Sequence, residues 1–442
     1  MQTGRLIRQI LAVALLIGAG WLMVGLIGDL NRVKVLKTDL AEIHHVRYGL
    51  LDADVWVARI GEILEKRVDE LDLTEASREQ VTEAVTQLLD TLIREIERNL
   101  AQRRPDPGGS WLDQLQGALQ QGLQDLLLDV ARLRDRVPEY ADAFVEQLSV
   151  PGVKEQIKAR LRVLLNDAVA SSGAGTDRWA LDAVLVRNGC VEVVDACSHM
   201  IETEIGAVQP QIQQQLGAVI GLVASVFMVA LVGGASRGQA SGRTTDRLAP
   251  VLLFALVGAT FLLLLGGLAT PMIEVDARIT ELTFQLLGEP VVFTDQVLYF
   301  QTKSIVDVMR ILFESGQADM LLVAVLLTLF SVVFPALKLL ATYAFYYDWS
   351  GSRGSSIVRF FALKSGKWSM ADVMVVAIFM AYIGFDALVA NQLGGLRGAS
   401  DAVAVLTTNG TSLEPGFYLF LAFVLAGLVL SGALGNRLGQ DR

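Results

Sequence analysis

Six stretches of about twenty apolar residues constrain this chain more than any other feature, because a bilayer sets that length for a spanning helix. They fall at roughly 9–28, 216–234, 250–270, 320–343, 370–390 and 416–435. Lipid leaves no water for backbone N–H and C=O groups, so each stretch must close its own hydrogen bonds as a helix. Composition agrees: 52% of the 442 residues are hydrophobic, 19% are charged, and the mean hydropathy is +0.46. The expected fold class is mainly α. It is a polytopic membrane protein with six transmembrane helices, a large helical extracytoplasmic domain and a small extracytoplasmic β element. The first stretch follows Arg5 and Arg8 as a signal peptide would. No small-x-small cleavage site closes it, so an uncleaved anchor is expected.

Lysine and arginine in the short connections orient the spans. Arg5 and Arg8, then Arg237, Arg243 and Arg247, then Arg353, Arg359, Lys364 and Lys367, then Arg437 and Arg442 all fall on one side if there are six spans. That side is expected to be cytoplasmic, with both termini on it. Residues 1–28 then form the N-terminus and first span, 29–215 an extracytoplasmic helical domain, 216–234 the second span, and 235–249 a cytoplasmic loop. Residues 250–436 form a four-helix membrane module. The 29–215 segment carries 32 acidic against 21 basic residues, which accounts for the whole chain's net charge of −10. Leu112, Leu115, Leu119, Leu123, Leu126, Val130, Leu133 and Val137 recur at near-heptad spacing, and stripes at 81–96 and 157–168 repeat the helical pattern. Asp72 with Glu75 has capping-box spacing. In the module, 289–302 is rich in Val, Phe and Tyr and predicts a hairpin or two small strands. Residues 304–315 predict an amphipathic helix that ends near Gly316.

The acidic balance argues against a nucleic-acid partner. No phosphate loop, nucleophile elbow or zinc-protease motif is present, and histidine occurs only at 44, 45 and 199. No cofactor, no metal and no enzymatic activity are expected. Cys190 and Cys197, the only two cysteines, are expected to form a disulfide outside the cytoplasm. That bridge would interrupt helical continuity, since residues seven apart in one helix lie about 10 Å apart. The adjacent His44-His45 pair reads as solvated helix surface. Small residues at spacing four, Gly217, Gly221 and Ser225 in span two and Gly427, Ser431 and Gly435 in span six, read as helix-packing faces.

Ionisable residues inside spans are functional candidates. Lys338 follows Pro335, which is expected to kink span four. Trp368 reads as an interfacial anchor, and Ser369 with Asp372 as a capping box opening span five. Asp372 enters the membrane from the same side as Lys338, so an ion pair between them is plausible on geometry.

The element Phe334-Pro335-Ala336-Leu337-Lys338-Leu339 and the element Trp368-Ser369-Met370, with Asp372 two residues on, occur together. With the flanking stretches, they make residues 250–436 resemble the paraquat-inducible protein A family. The resemblance implies a four-span inner-membrane module associated with mammalian-cell-entry (MCE) domain proteins, which move lipid between the membranes of Gram-negative bacteria. Here the module is single, it lacks the cytoplasmic cysteine pairs that family members often carry, and it follows the unusual 29–215 domain. The expected function is therefore a non-enzymatic inner-membrane component that binds lipid or passes it to an MCE-type partner. Pro335, Lys338, Trp368, Ser369 and Asp372 are its candidate residues, and a homo-oligomer is a further candidate assembly. The alternatives are a membrane sensor with a periplasmic helical bundle and a membrane-embedded lipid-modifying enzyme.

Overall fold

The computed structural model describes residues 2–49, 52–70, 158–159, 163, 178–190, 194–235, 249–286, 289–347, 355–361, 373–378, 380–381 and 403–439. Among these, five helical stretches, not the expected six, are long and apolar enough to cross a membrane: Thr3–Ile43, Val194–Leu231, Pro250–Ala269, Ala318–Tyr347 and Pro415–Leu434. The expected span at 370–390 lies largely outside the described residues, of which 373–378 and 380–381 are helical. The heptad stripe at 112–137, the stripe at 81–96, most of that at 157–168 and the Asp72–Glu75 capping box also lie outside them.

Two helices run well past the lengths that the apolar pattern requires. Helix α1 (Gln2–Ile43) and helix α4 (Val194–Ala235) each have 42 residues. They pack antiparallel along their length. Arg8 donates to the Val229 and Ala230 carbonyls near one end, Asp29 accepts from Gln211 and Gln215 further along, and Arg32 pairs with Glu204 beyond. Both helices run unbroken across the expected boundaries at 28/29 and 215/216 and continue as a stalk. A 3-10 turn (Val46–Tyr48) and helix α2 (Ala53–Glu70) follow α1. Helix α3 (Trp179–Arg187) precedes α4.

The predicted disulfide is present. Cys190 and Cys197 are bridged with their Cα atoms 5.6 Å apart, and the helix is interrupted between α3 and α4 as that distance demands. Gly189 takes φ +71° at the break, a backbone region open to glycine. Cys197 is buried with Leu36, Ile43, Leu181, Val184 and Ile201 in a small core joining α1, α3 and α4.

Helix α5 (Pro250–Ala269) starts with proline at its first turn, where the missing N–H costs nothing. It is apolar all round and largely buried, as suits a central membrane helix. Leu16 and Met23 of α1 meet Gly258 and Gly266 of α5. Helix α10 (Pro415–Gly439) also packs on α5. The closest approach is made by Gly267, where an added Cβ would stand 2.9 Å from the Phe420 backbone. Among the described residues, Gly217, Gly221 and Gly427 of the expected small-residue faces have open space at the Cβ position.

The sheet stands beyond the end of α5 and is larger than the predicted hairpin. Strand β1 (Ile273–Leu286) pairs antiparallel with β2 (Glu289–Lys303) on one side and β3 (Val403–Asn409) on the other. The short β4 (Ser412–Leu413) pairs with the start of β1. Val275, Ala277 and Ile279 are buried in alternation, and the burial resumes at Leu282 after a register shift between Ile279 and Glu281. The predicted amphipathic helix is present as α6 (Ile305–Glu314), and Gly316 after it has φ +69°. Helix α7 (Ala318–Thr328), a π-helical turn (Leu329–Val333) and helix α8 (Phe334–Tyr347) then run on continuously. A short helix α9 (Ser356–Arg359) follows. Phe361 packs against Phe334 with ring centroids 5.5 Å apart, so this segment lies along α8 and does not stand off as an open loop.

Candidate functional site

Lysines placed one turn apart on the α1 stalk meet carboxylates of the C-terminal module. Lys37 donates to both Glu274 oxygens, at 2.9 and 2.8 Å, and to Glu414 at 3.3 Å. Glu274 opens β1 and Glu414 follows β4, which pairs with that start of β1, so one ammonium ties the stalk to one end of the sheet at its first and last strands. Burial pushes the Glu274 carboxyl above the usual range; Lys37 pulls it down and Glu414 pushes it up again. Lys34 pairs with Asp307 at 2.5 Å. The same Asp307 oxygen accepts from the backbone N–H of Ser304 (2.8 Å) and from its hydroxyl (2.7 Å). In return, the Ser304 hydroxyl accepts from the Asp307 N–H (3.1 Å), closing a capping box on α6. Burial raises the Asp307 carboxyl, but the bonds from Lys34 and Ser304 outweigh it and hold the group below its ordinary value. The Ser-x-x-Asp spacing of residues 304 to 307 is legible in the sequence; Lys34 as its partner is not.

A cavity of about 250 Å³ opens at this junction. Leu40, Ala41, Ile205, Val297 and Phe300 give it apolar wall; Lys37, Glu202, Glu274, Asp276 and Arg278 give it charge. Asp276 and Arg278 pair with each other. The cavity is therefore amphiphilic, with its fixed cations already matched to carboxylates. Among the described residues, no group of three or more His, Cys, Asp or Glu side chains could hold a metal ion.

His44 also lines the cavity. The expectation of a solvated histidine pair is corrected here, because α1 docks end-on against β2. The His44 carbonyl accepts from Val297 N–H at 2.7 Å, and both imidazoles are half-buried. Among the described residues, the His44 Nε2 has no hydrogen-bond partner. Burial holds the His44 pKa below its ordinary value, against the raising pull of Asp295 and Glu202. The unfolded chain thus binds this proton more readily. The stability that His44 contributes is full above about pH 6.5 and is lost as pH falls through its lower folded value. Thermal melts in detergent between pH 7.5 and 5.5 should show a steeper fall for the wild type than for His44→Gln. Parallel profiles would remove His44 from the account.

Of the sequence-predicted residues, Pro335 and Lys338 are described, and Trp368, Ser369 and Asp372 lie outside the described residues, as does any Lys338–Asp372 pair. Pro335 is buried and follows directly on the π-helical turn, in which the Phe334 N–H reaches back to the Leu329 carbonyl. Proline has no N–H for the carbonyl four residues earlier, and the widened turn makes room for its ring. The expected kink site at Pro335 is thus marked by a π-helical turn just ahead of it. Lys338 is partly buried, and its carbonyl accepts from the Thr342 hydroxyl at 2.7 Å. Phe330 stacks on Phe334, the residue before the proline, with ring centroids 5.4 Å apart.

The family model described as Paraquat-inducible protein A matches residues 286–408. The match covers the inner part of the expected 250–436 module, from the end of β1 to β3, and includes Pro335 and Lys338. No curated protein and no solved structure matches the chain.

Proposed function

We propose that this chain, which carries a single paraquat-inducible protein A module, is a non-enzymatic inner-membrane component of an envelope lipid-transport system. Both termini lie in the cytoplasm, and the stalk with its 29–215 domain projects into the periplasm. The module receives lipid from the membrane and passes it to an MCE-type partner guided by the stalk. The observation that carries this reading is the amphiphilic cavity between the outer part of the stalk and the sheet. Its apolar wall suits acyl carbon, its paired charges suit a headgroup, and it stands just past the end of a spanning helix. A photo-reactive residue at Phe300 in the cavity, and another at Phe334 beside Pro335, should capture lipid in cells, and one on the exposed stalk should capture an MCE-domain protein. Capture of neither lipid nor such a partner rejects the proposal.

A further inference from the structure

The stretch Ala318–Tyr347 is 30 residues of continuous helix, about ten more than a bilayer core requires. The surplus is at its α7 end. Phe254 of α5 packs on Tyr343 of α8, and these helices run antiparallel. Counting outward from that contact brings Thr328 level with Ala269, the last residue of α5. Helix α7 therefore continues past the end of α5, toward the sheet side. There it packs against α6, which turns back beside it through Gly316, and the Thr328 hydroxyl meets Met309 Sδ at 3.1 Å.

This α6–α7 hairpin is apolar on faces that the rest of the described protein leaves uncovered. Leu321, Leu322, Val323, Val325 and Leu326 of α7 are 44 to 60% exposed, and Ala324 is the buried residue among them. On α6, Val306, Ile311 and Phe313 are 45 to 49% exposed. The charges of α6 are matched, Asp307 with Lys34 and Arg310 with Glu314, Asp319 stands just past the turn, and no charged residue follows Asp319 before Lys338. A helix apolar all round belongs in protein or in lipid, not in water. The exposed face also continues without a break into Val333, Leu337 and Leu340 of the spanning part. A helix longer than the local bilayer accommodates by tilting or kinking, and a π-helical turn such as the one before Pro335 is a common place for a helix to bend.

We infer that the α6–α7 hairpin lies in the sheet-side leaflet, with α7 and the apolar face of α6 among acyl chains and the charged face of α6 and the turn at the headgroups. The lipid contact is a property of this hairpin whether or not the chain transports lipid, so its test is separate from that of the proposed function. The chain's two cysteines are bridged to each other, so one introduced cysteine can carry a unique spin label. The probes are Leu322→Cys and Phe313→Cys in the full chain, reconstituted in vesicles of phosphatidylethanolamine and phosphatidylglycerol. Leu340→Cys serves as the in-membrane reference and Val186→Cys, exposed on α3, as the aqueous one. At Leu322 the ratio of oxygen to water-soluble nickel-complex collisions should approach that at Leu340 and exceed that at Val186 at least several-fold, with Phe313 between them. A Leu322 ratio equal to that of Val186 places the hairpin in water and overturns the inference. Low collision rates with both reagents mean that protein covers it, and overturn it equally. Leu326→Cys on the same helix gives the same reading if Leu322→Cys fails to incorporate.

Discussion

Replacing Lys37 with methionine should destabilise the protein by about 3–5 kcal/mol near pH 8, the range for removing one partner of a buried ion pair. The loss should come less from the missing attraction than from what stays behind. Glu274 is 8% exposed, Glu414 is close by, and Lys37 is the ammonium that bonds both. Burial already raises the Glu274 carboxyl, so the lone acid has a cheap escape, which is to take up a proton. In Lys37→Met that proton is bound more tightly still. The deficit relative to wild type should therefore shrink as the pH is lowered towards 5, and Lys37→Met/Glu274→Leu should recover much of it at pH 8. Melting temperatures in detergent at the two pH values check this. A single mutant that melts within about a degree of wild type at pH 8 would show that the stalk is not held by this contact.

Two neighbouring glycines in α5 should behave oppositely. A Cβ on Gly267 would stand 2.9 Å from the N, Cα and Cβ of Phe420, which belong to or adjoin the backbone of α10 and cannot swing aside. Gly267→Ala must push the helices apart, at about 1–3 kcal/mol, the usual range for overpacking. A Cβ on Gly266 would approach Met23 Sδ at 2.5 Å and its Cε at 2.6 Å. That is the tip of a side chain with three rotatable bonds, and alanine also gains about 1 kcal/mol of helix propensity over glycine. Gly266→Ala should stay within about 1 kcal/mol of wild type. Equal losses from both substitutions would mean that the α5–α10 approach is not the tight one described. Unfolding by denaturant in mixed micelles, followed by helical signal, gives the comparison.

Much of the membrane part is legible in the sequence because lipid imposes a length and a composition on each span. The disulfide is legible because the two cysteines fall close together on the side read as extracytoplasmic, and bond geometry then requires the interruption. The sheet is less so. Residues 273–279 alternate Ile, Val, Ala and Ile with Glu, Asp and Arg, a plain period-two signal. It sits immediately after a span and is easily absorbed into an acidic connection. The capping box at Ser304 and Asp307 is a local pattern and can be read locally. The site itself cannot. Lys37 meets Glu274 across 237 residues of sequence and Glu414 across 377, and nothing in the composition of α1 names those partners. Likewise the small residues of span two have the spacing of a packing face, but spacing does not say which face a neighbour will occupy. The neighbour came to Gly266 and Gly267.

The uninterrupted α1 has a mechanical consequence. A helix of 42 residues is about 63 Å long at 1.5 Å per residue. It is fastened near one end by Arg8 to α4 and towards the other by Lys34 and Lys37 to the module. With no hinge along its length, α1 acts as a lever whose arms lie inside and outside the bilayer. At this length, a tilt of about 5° about its inner end carries the outer end roughly 5 Å. Small changes in how the spans lean are thus delivered, enlarged, to whatever the chain holds beyond the sheet.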